Sequence, residues 1–223
     1  MDAIVLTSGG LDSAVLLAQE AQQGRVLPVY VSVGLAWEAA ELRMLEWLLA
    51  APIYKPALPL LTLEFGMGDV YPATHWAIRG TPPAYDTPDN EVYIAGRNVV
   101  LLSKAGVVAA LRGLHRIVLG SLAGNSFPDA TPEFFEAMER ALSLGLNHRL
   151  DINAPLASLH KADVIRLGVS LGVPLELSLS CMNPVDDPVP QHCGQCSKCR
   201  ERRDAFAAAG VNDPTTYAQP SPR

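Results

Sequence analysis

The chain has 223 residues, of which 49% are hydrophobic and 18% are charged, and its formal net charge is −6 at pH 7. This length can bury the core of one domain with a small appendage. The negative net charge argues against a polybasic surface that binds nucleic acid through its phosphates, so a small-molecule substrate is the better expectation.

Apolar β-rich runs alternate with helical patterns along most of the chain. Strands are predicted at residues 3–7, 26–33, 58–65 and 116–121. Helices are predicted at residues 13–23, 37–50, 98–111, 132–144 and 161–171, with Thr131 as the N-cap of the fourth. This alternation predicts an α/β fold with a doubly wound, mostly parallel sheet that helices cover on both faces.

Two segments do not follow this pattern. Residues 66–90 are rich in glycine and proline and are predicted to form a long loop or lid. Residues 178–190 form a proline-rich lead into a cysteine cluster, and the tail after Pro214 is expected to be frayed. We therefore expect an α/β domain at residues 1–177 and a four-cysteine zinc module with a tail at residues 178–223.

The sequence also predicts a location for the protein. Residues 1–10 lack the basic and long apolar regions of a secretion signal. The longest apolar stretch, residues 99–111, is interrupted by Ser103 and Lys104 and is too short to span a bilayer. A cytoplasmic location is expected, and in that reducing compartment clustered cysteines favour metal binding over disulfides.

The first predicted strand leads into TSGGLDSAV, residues 7–15, and then into an apolar helix. In a parallel sheet, ligands bind beyond the carboxyl ends of the strands, and this first turn is a preferred phosphate site. Gly9 and Gly10 let the backbone approach an anion, and the start of the helix supplies N–H groups and a favourable dipole. The hydroxyls of Ser8 and Ser13 can add hydrogen bonds.

Two familiar nucleotide motifs, Gly-x4-Gly-Lys-Ser/Thr and Gly-x-Gly-x-x-Gly, are absent from this turn. Instead, Ser-Gly-Gly-x-Asp-Ser at residues 8–13 resembles the pyrophosphate loop of the ATP pyrophosphatase superfamily; an ordinary strand-to-helix turn is the alternative. The resemblance implies that ATP binds here and is cleaved between its α and β phosphates. The expected cofactor-binding residues of the loop are Ser8, Gly9, Gly10, Leu11, Asp12 and Ser13.

Asp12 needs a separate explanation because a carboxylate beside phosphates is repulsive unless something intervenes. It either caps backbone N–H groups or reaches a Mg²⁺ ion that bridges the phosphates. We favour the cap.

Four cysteines lie close together near the carboxyl end: Cys181, Cys193, Cys196 and Cys199. The Cys-x2-Cys spacings and the four thiolates are typical of a closed, tetrahedral zinc site with a structural role. An iron-sulfur cluster and a redox Cys-x-x-Cys pair are the alternatives. His192 could replace one ligand, but we favour a position for it outside the ligand shell.

Basic residues follow the cluster on the next helix: Lys198, Arg200, Arg202 and Arg203. A solvated helix face is the expected explanation for such a run. Partial neutralisation of a Zn(Cys)4 centre is the second.

The glycine loop and the cysteine cluster, at opposite ends of the chain, both occur in the 7-cyano-7-deazaguanine synthase family, which this chain resembles. The resemblance covers nearly the whole chain through GRNVVLLSKAG at residues 96–106, FPD at 127–129, PLASLHKADVIRLG at 155–168 and HCGQCSKCRERRDAFAAAGVNDPTTY at 192–217. It implies an adenine nucleotide alpha hydrolase-like fold with a zinc ion in each chain. The implied activity is an ATP- and Mg²⁺-dependent ligase that converts 7-carboxy-7-deazaguanine and ammonia to 7-cyano-7-deazaguanine through adenylated carboxylate and amide intermediates.

The resemblance also implies roles for single residues. Arg97 would be a bidentate partner for phosphate or carboxylate, Lys161 a point charge for the leaving group, and Asn98 an orienting hydrogen bond in the nucleotide site. Asp12, Arg97 and Lys161 are therefore the expected catalytic residues. The family often forms homodimers, so a homodimer is the expected assembly.

The chain departs from the family pattern in two places. VSVGLAWEAAE at residues 31–41 replaces a Tyr-Gly-Gln-Arg-His-like segment, while SLAGNS at 121–126 and Ala130 replace an acidic stretch and a cysteine. The alternatives are an enzyme of the same chemistry that acts on another carboxylate or on a tRNA base, and a nucleotide-binding module without turnover.

Overall fold

The computed structural model describes residues 3–186 and 188–222. The strands are β1 (Ala3–Leu6), β2 (Val26–Ser32), β3 (Leu61–Glu64), β4 (Arg116–Val118), β5 (Asp151–Asn153), β6 (Val185–Asp186) and β7 (Pro190–Gln191). The helices are α1 (Leu11–Gln23), α2 (Glu38–Leu49), α3 (Trp76–Arg79), α4 (Arg97–Arg112), α5 (Pro132–Gly145), α6 (Lys161–Leu171) and α7 (Ser197–Ala209). Short 3-10 turns lie at Pro52–Tyr54, Asp89–Val92, Pro128–Ala130 and Leu175–Leu177.

Five parallel strands form the central sheet in the order β3-β2-β1-β4-β5. Ala3 of β1 pairs with Val26 on one side and with Arg116 on the other. Strands β2 and β3 therefore lie on one side of β1 and strands β4 and β5 on the other, and the strand order reverses between β1 and β4. This confirms the predicted doubly wound α/β class, in which such a switch point opens a crevice at the carboxyl ends of the strands.

Alternation along β1 explains why both faces of the sheet are covered. Ile4 packs in a core with Leu102 of α4, whereas Val5 packs in a second core with Val15 of α1 and Ile165 of α6. All five side chains are completely buried. A strand that is apolar on both faces fits only in the middle of a three-layer structure.

The structure differs from the predicted elements at three points. Strand β5 was not predicted, because Asp151–Asn153 contains a single apolar residue between two polar ones. The proline-rich segment at residues 66–90 contains the short helix α3, whose Trp76 ring stacks on Trp37 at 5.8 Å. The tail is not frayed at Tyr217, which forms a bridge with His192 and lies under the Arg203 guanidinium.

The four-cysteine segment and α7 contact the sheet layers, with α7 packed against α6. The domain boundary at residue 177 remains a prediction. In the described part of the chain, no helix has the length and apolar character needed to cross a membrane.

Candidate active site and metal centre

A cleft of about 270 Å³ opens at the switch point of the sheet. Its walls come from the carboxyl ends of β1, β2 and β4, the start of α1, and the start of α4. The lining residues that can interact with a polar ligand are Thr7, Ser8, Gly10, Asp12, Ser13, Tyr30, Tyr93, Arg97, Asn98, Ser121, Asn125 and Asp129. The predicted glycine loop and the predicted Arg97 and Asn98 therefore face one cavity.

The glycine loop has a backbone that only glycine accommodates easily at Gly9. Its φ is +76°, and a Cβ there would lie 3.3 Å from both the Glu41 carbonyl oxygen and Leu45 Cβ. Gly10 is the N-cap of α1, and its carbonyl accepts the hydrogen bond of the Ala14 N–H at 3.0 Å. The N–H groups of a first helical turn have no intrahelical partner, so this turn presents donors to the cleft.

The two serines of the loop hydrogen bond within it. The Ser8 N–H donates to Ser13 Oγ at 3.2 Å, and Ser13 Oγ donates to the Gly10 carbonyl at 3.0 Å. Leu11 is buried in the core between the sheet and α6, so only its backbone can reach a ligand. The two hydrogen bonds tie the loop backbone to the first turn of α1.

The carboxylate of Asp12 contacts a lysine instead of capping the helix, contrary to our preferred reading. Asp12 Oδ2 lies 3.1 Å from Lys161 Nζ, and the Lys161 ammonium also lies 2.5 Å from Glu201 Oε1. Asp12 Oδ1 is buried and has no hydrogen-bond partner among the described residues. Lys161 contacts Asp12, which lines the cleft, but Lys161 itself is not among the cleft-lining residues.

The second wall is held in place by Asn98 and Asp129. The Asn98 N–H donates to Asp129 Oδ2 at 3.0 Å, and the Asn98 side-chain amide donates to the Asp129 carbonyl at 2.8 Å. Burial raises the pKa of Asp129, although the Asn98 bond and the charge of Arg97 oppose that shift. Asp129 was not predicted as a site residue; the FPD motif that contains it was the available signal.

Among the described residues, Arg97 is the only arginine or lysine whose side chain lines the cleft. It is half-buried, and in the part of the chain that the structure describes its Nε has no hydrogen-bond partner and its guanidinium no ion pair within 4.0 Å. A half-buried guanidinium with no ion pair among the described residues favours an anionic ligand.

Two buried glutamates of α2, Glu38 and Glu41, come from the segment that departs from the family pattern, and Glu41 lies within the electrostatic reach of Arg97. Glu41 Oε2 accepts a hydrogen bond from the Tyr30 hydroxyl at 2.9 Å. Burial raises the pKa of Glu41 to about 7, against the charge of Arg97 and the Tyr30 bond. Glu38 accepts bonds from Ser32 Oγ at 2.6 Å and the Val33 N–H at 2.9 Å, so its role is to join α2 to the end of β2.

Three further residues at the cleft, Tyr93, Phe127 and Gly120, were not predicted as site residues. Tyr93 and Phe127 form an aromatic pair at the cleft, with ring centroids 5.2 Å apart. A Cβ at Gly120 would lie 3.5 Å from the Ser13 nitrogen, so glycine leaves the first turn of α1 uncovered. These residues lie far from the loop in sequence, and only the folded chain brings them together.

The four predicted cysteines converge on one buried point. Their sulfur atoms all lie within 4.8 Å of one another, with 3.9 Å between Cys181 and Cys196 and 3.9 Å between Cys193 and Cys199. A tetrahedral zinc ion with Zn–S bonds of about 2.3 Å requires sulfurs about 3.8 Å apart, so the set fits Zn²⁺. All four cysteines are free thiols and buried.

Backbone N–H groups surround these sulfurs. Cys181 Sγ accepts hydrogen bonds from the Asn183 N–H at 3.3 Å and the Cys193 N–H at 3.2 Å, and Cys193 Sγ accepts one from the Gln195 N–H at 3.3 Å. Bonds of this kind stabilise negative charge on sulfur. They support binding of a metal by thiolates.

His192 lies outside the cysteine set, as expected. It is buried, and its Nε2 accepts a hydrogen bond from the Ser180 N–H at 3.1 Å. Burial and the charge of Arg202 lower its pKa well below the ordinary value, so the ring is neutral at pH 7. His192 therefore packs beside the cysteines as a structural residue.

The expectation of a solvated basic face is wrong for Arg202. This side chain is 1% exposed and donates to Ser178 Oγ at 3.0 Å, the Leu175 carbonyl at 2.8 Å and Thr215 Oγ1 at 2.6 Å. Because burying an arginine is costly unless its donors are satisfied, these bonds fix α7 to the segment before Cys181 and to the tail.

The structure thus defines an α/β protein that has a doubly wound parallel sheet, a glycine loop at its first strand-to-helix turn, and a buried set of four cysteine thiols that fits a metal ion. The chain belongs to the family described as "Queuosine biosynthesis protein QueC", whose model matches residues 2–210.

Relatives named 7-cyano-7-deazaguanine synthase match almost the entire chain. The relative from Methanopyrus kandleri is 33% identical over 97% of this chain and 98% of its own length. The relative from Azoarcus sp. is 37% identical over 96% of each chain. A solved structure, described as a predicted subunit of tRNA methyltransferase from Methanocaldococcus jannaschii, shares the fold with a TM-score of 0.50, 13% identity and coverage of 99% of this chain and 93% of that one.

Proposed function

We propose that the protein is an ATP-dependent ligase that converts 7-carboxy-7-deazaguanine and ammonia to 7-cyano-7-deazaguanine. Family membership and the shared name of the relatives support this activity. The observation that carries the proposal is that the glycine loop and Arg97, which has no ion pair among the described residues, line the same cleft. Such a cleft can hold a polyphosphate and a carboxylate side by side.

In this proposal the start of α1 binds the phosphates of ATP. The backbone around Gly9 and Gly10 donates hydrogen bonds, and the helix dipole favours the negative charge. The hydrogen bonds of Ser8 and Ser13 within the loop hold these donors in place, so that little reorganisation is needed when phosphate binds. Release of pyrophosphate after attack at the α phosphorus is then stabilised by donors that are already oriented.

Arg97 orients the second substrate. Its guanidinium attracts the substrate carboxylate and the α phosphate, which would otherwise repel each other. Tyr93 and Phe127 offer aromatic surface for a flat heterocycle, and the Asp129 carboxylate can accept hydrogen bonds from ring N–H groups. Asn98 acts here by holding Asp129 and the start of α4.

The reaction then uses this cleft twice. The carboxylate oxygen attacks the α phosphorus and pyrophosphate leaves, and ammonia displaces AMP to give the amide. The amide oxygen attacks a second ATP in the same way, and loss of AMP with the remaining amide protons gives the nitrile. Both activations require the same in-line approach, which is why one cleft suffices.

Two metal ions belong to the proposal. Asp12 Oδ1, which is buried without a hydrogen-bond partner among residues 3–186 and 188–222, fits a ligand to Mg²⁺. When bound, Mg²⁺ supplies positive charge against the phosphates. The four cysteines fit Zn²⁺ in a closed, structural role.

We also propose a cytoplasmic location, in which the four thiols stay reduced, and a homodimer, as the family resemblance implies. Leu111 and Leu144 are highly exposed apolar side chains that a second copy could cover. Light scattering of the purified protein tests the assembly, and a monomer mass would contradict it.

The activity is tested by incubating purified protein with ATP, Mg²⁺, ammonia and 7-carboxy-7-deazaguanine. The expected result is two AMP per nitrile, seen by chromatography and by the mass of the nucleobase. AMP formation that requires tRNA would favour the other acceptor, and no ATP cleavage with any acceptor would leave only a nucleotide-binding module.

A further inference from the structure

Glu201 of α7 reaches from the cysteine centre toward the glycine loop. Its Oε1 lies 2.5 Å from Lys161 Nζ, and its Oε2 lies 2.6 Å from Lys198 Nζ. Lys161 Nζ in turn lies 3.1 Å from Asp12 Oδ2. The three contacts form a row of alternating charges that ends on the only acidic residue of the glycine loop.

The row is largely shielded from water. The side chains of Asp12, Lys161 and Glu201 are 25%, 20% and 20% exposed. Two carboxylates hold the Lys161 ammonium, so its direction is set by both.

Lys161 would be poorly placed without these carboxylates. It is the first residue of α6, where the helix dipole disfavours a cation. Asp12 alone could hold the ammonium in several directions, because a single ion pair between flexible side chains is loosely defined. Glu201 provides a second carboxylate for the Lys161 ammonium and so restricts the directions that its side chain can take.

Glu201 itself has little freedom to move. It lies two residues after Cys199 and directly before the buried Arg202, whose guanidinium binds Ser178 and Leu175. The helix that carries Glu201 is therefore fixed at the cysteine centre and against the sheet domain.

We infer that Glu201 is a positioning residue that holds Lys161 and, through it, the Asp12 carboxylate at the glycine loop. The four-cysteine centre would then influence the distant cleft through one side chain. This inference rests on the proposed function only for its effect on turnover, since the position of Lys161 can be tested without activity.

The first test is the rate at which an amine-directed acylating reagent modifies each lysine, measured by peptide mass spectrometry on the zinc-loaded protein. In E201Q, Lys161 and Lys198 are expected to react several-fold faster than in the wild type, because a shared carboxylate no longer holds them. The exposed Lys55 provides the internal reference. The control variant D204N alters an exposed carboxylate on the same helix, and unchanged rates are expected at all four lysines.

The second test is a double-mutant cycle on AMP formation. E201Q is expected to lower kcat by about tenfold, and this effect should disappear in a K161M background because the two residues act as one unit. Zinc content and the thermal midpoint of E201Q should stay close to the wild type. If E201Q folds poorly, E201D, which keeps the charge and shortens its reach, replaces it in both tests.

Two results would overturn the inference: Lys161 reactivity that is the same in E201Q and wild type, or equal losses from E201Q with and without Lys161. Inactive wild-type protein would count against the proposed function, whereas the acylation rates would still decide the role of Glu201.

Discussion

The Asn98 backbone N–H donates a hydrogen bond to Asp129 Oδ2 at 3.0 Å, which ties the start of α4 to the turn after β4. The same carboxylate lines the cleft. Asp129 therefore has two separable roles, as a helix cap and as a charged group beside the ligand.

Replacing Asp129 with alanine should affect both roles. D129A is expected to cost about 1 kcal/mol of unfolding free energy through the lost cap, and to lower turnover by at least about tenfold. T131A is the matched control, since Thr131 caps α5 through the Phe134 N–H at 3.1 Å but does not line the cleft. Urea unfolding and AMP release measure the two effects, and equal turnover in both variants would remove Asp129 from the site.

The features that could be predicted from the sequence are the local ones. The glycine loop is a strand, a turn and a helix in one stretch, and three of the four cysteines lie within seven residues, Cys193 to Cys199. Periodicity also predicted α1, α4, α5 and α6 to within two residues at either end. Short-range geometry decides all of these features.

The features that were missed depend on packing between distant segments. Asp12, Lys161 and Glu201 meet only because α1, α6 and α7 pack together, and nothing in the spacing of these residues shows it. Arg202 looks like part of a solvated basic run, yet its position on the helix turns it inward. The capping role preferred for Asp12 failed for the same reason, since the competing lysine comes from α6.

Removing Arg97 should strongly lower turnover while leaving the fold intact. The half-buried guanidinium faces the cleft without an ion pair in the described residues, so little stability is lost with it. R97A is expected to lower kcat/KM by about 100-fold, and its thermal midpoint should change by only a few degrees. The control is R112A at the other end of the same helix, where the side chain is exposed. Unchanged turnover in R97A would contradict its proposed role.

Glu41 should make the protein less stable as the pH rises from about 4.5 to 7. Its pKa is raised from an ordinary 4.5 to about 7, so the folded state binds its proton more tightly than the unfolded chain does. Stability from this group is complete below about pH 4.5, falls between pH 4.5 and 7, and is constant above that range.

The matched variant E41Q keeps an oxygen for the Tyr30 hydroxyl but cannot ionise. Relative to wild type it should gain up to about 3 kcal/mol of unfolding free energy between pH 5 and pH 8. Urea titrations across this range measure the difference in unfolding free energy between variant and wild type. The control is E46Q, which alters an exposed residue of the same helix and should show a difference that does not change with pH. A flat difference for E41Q would mean that the carboxyl ionises normally in the fold.

The cysteine centre should bind about one zinc per chain, and removing that zinc should unfold the carboxyl-terminal region. C181S is expected to lose most of its zinc and several degrees in thermal midpoint, because Cys181 is the ligand that joins the segment before the cluster to α7. H192Q is the control: it removes a buried neighbour outside the ligand set, so zinc content should remain near that of the wild type. Atomic emission and calorimetry measure both quantities; iron with visible absorbance, or zinc loss in H192Q alone, would contradict a four-cysteine zinc site.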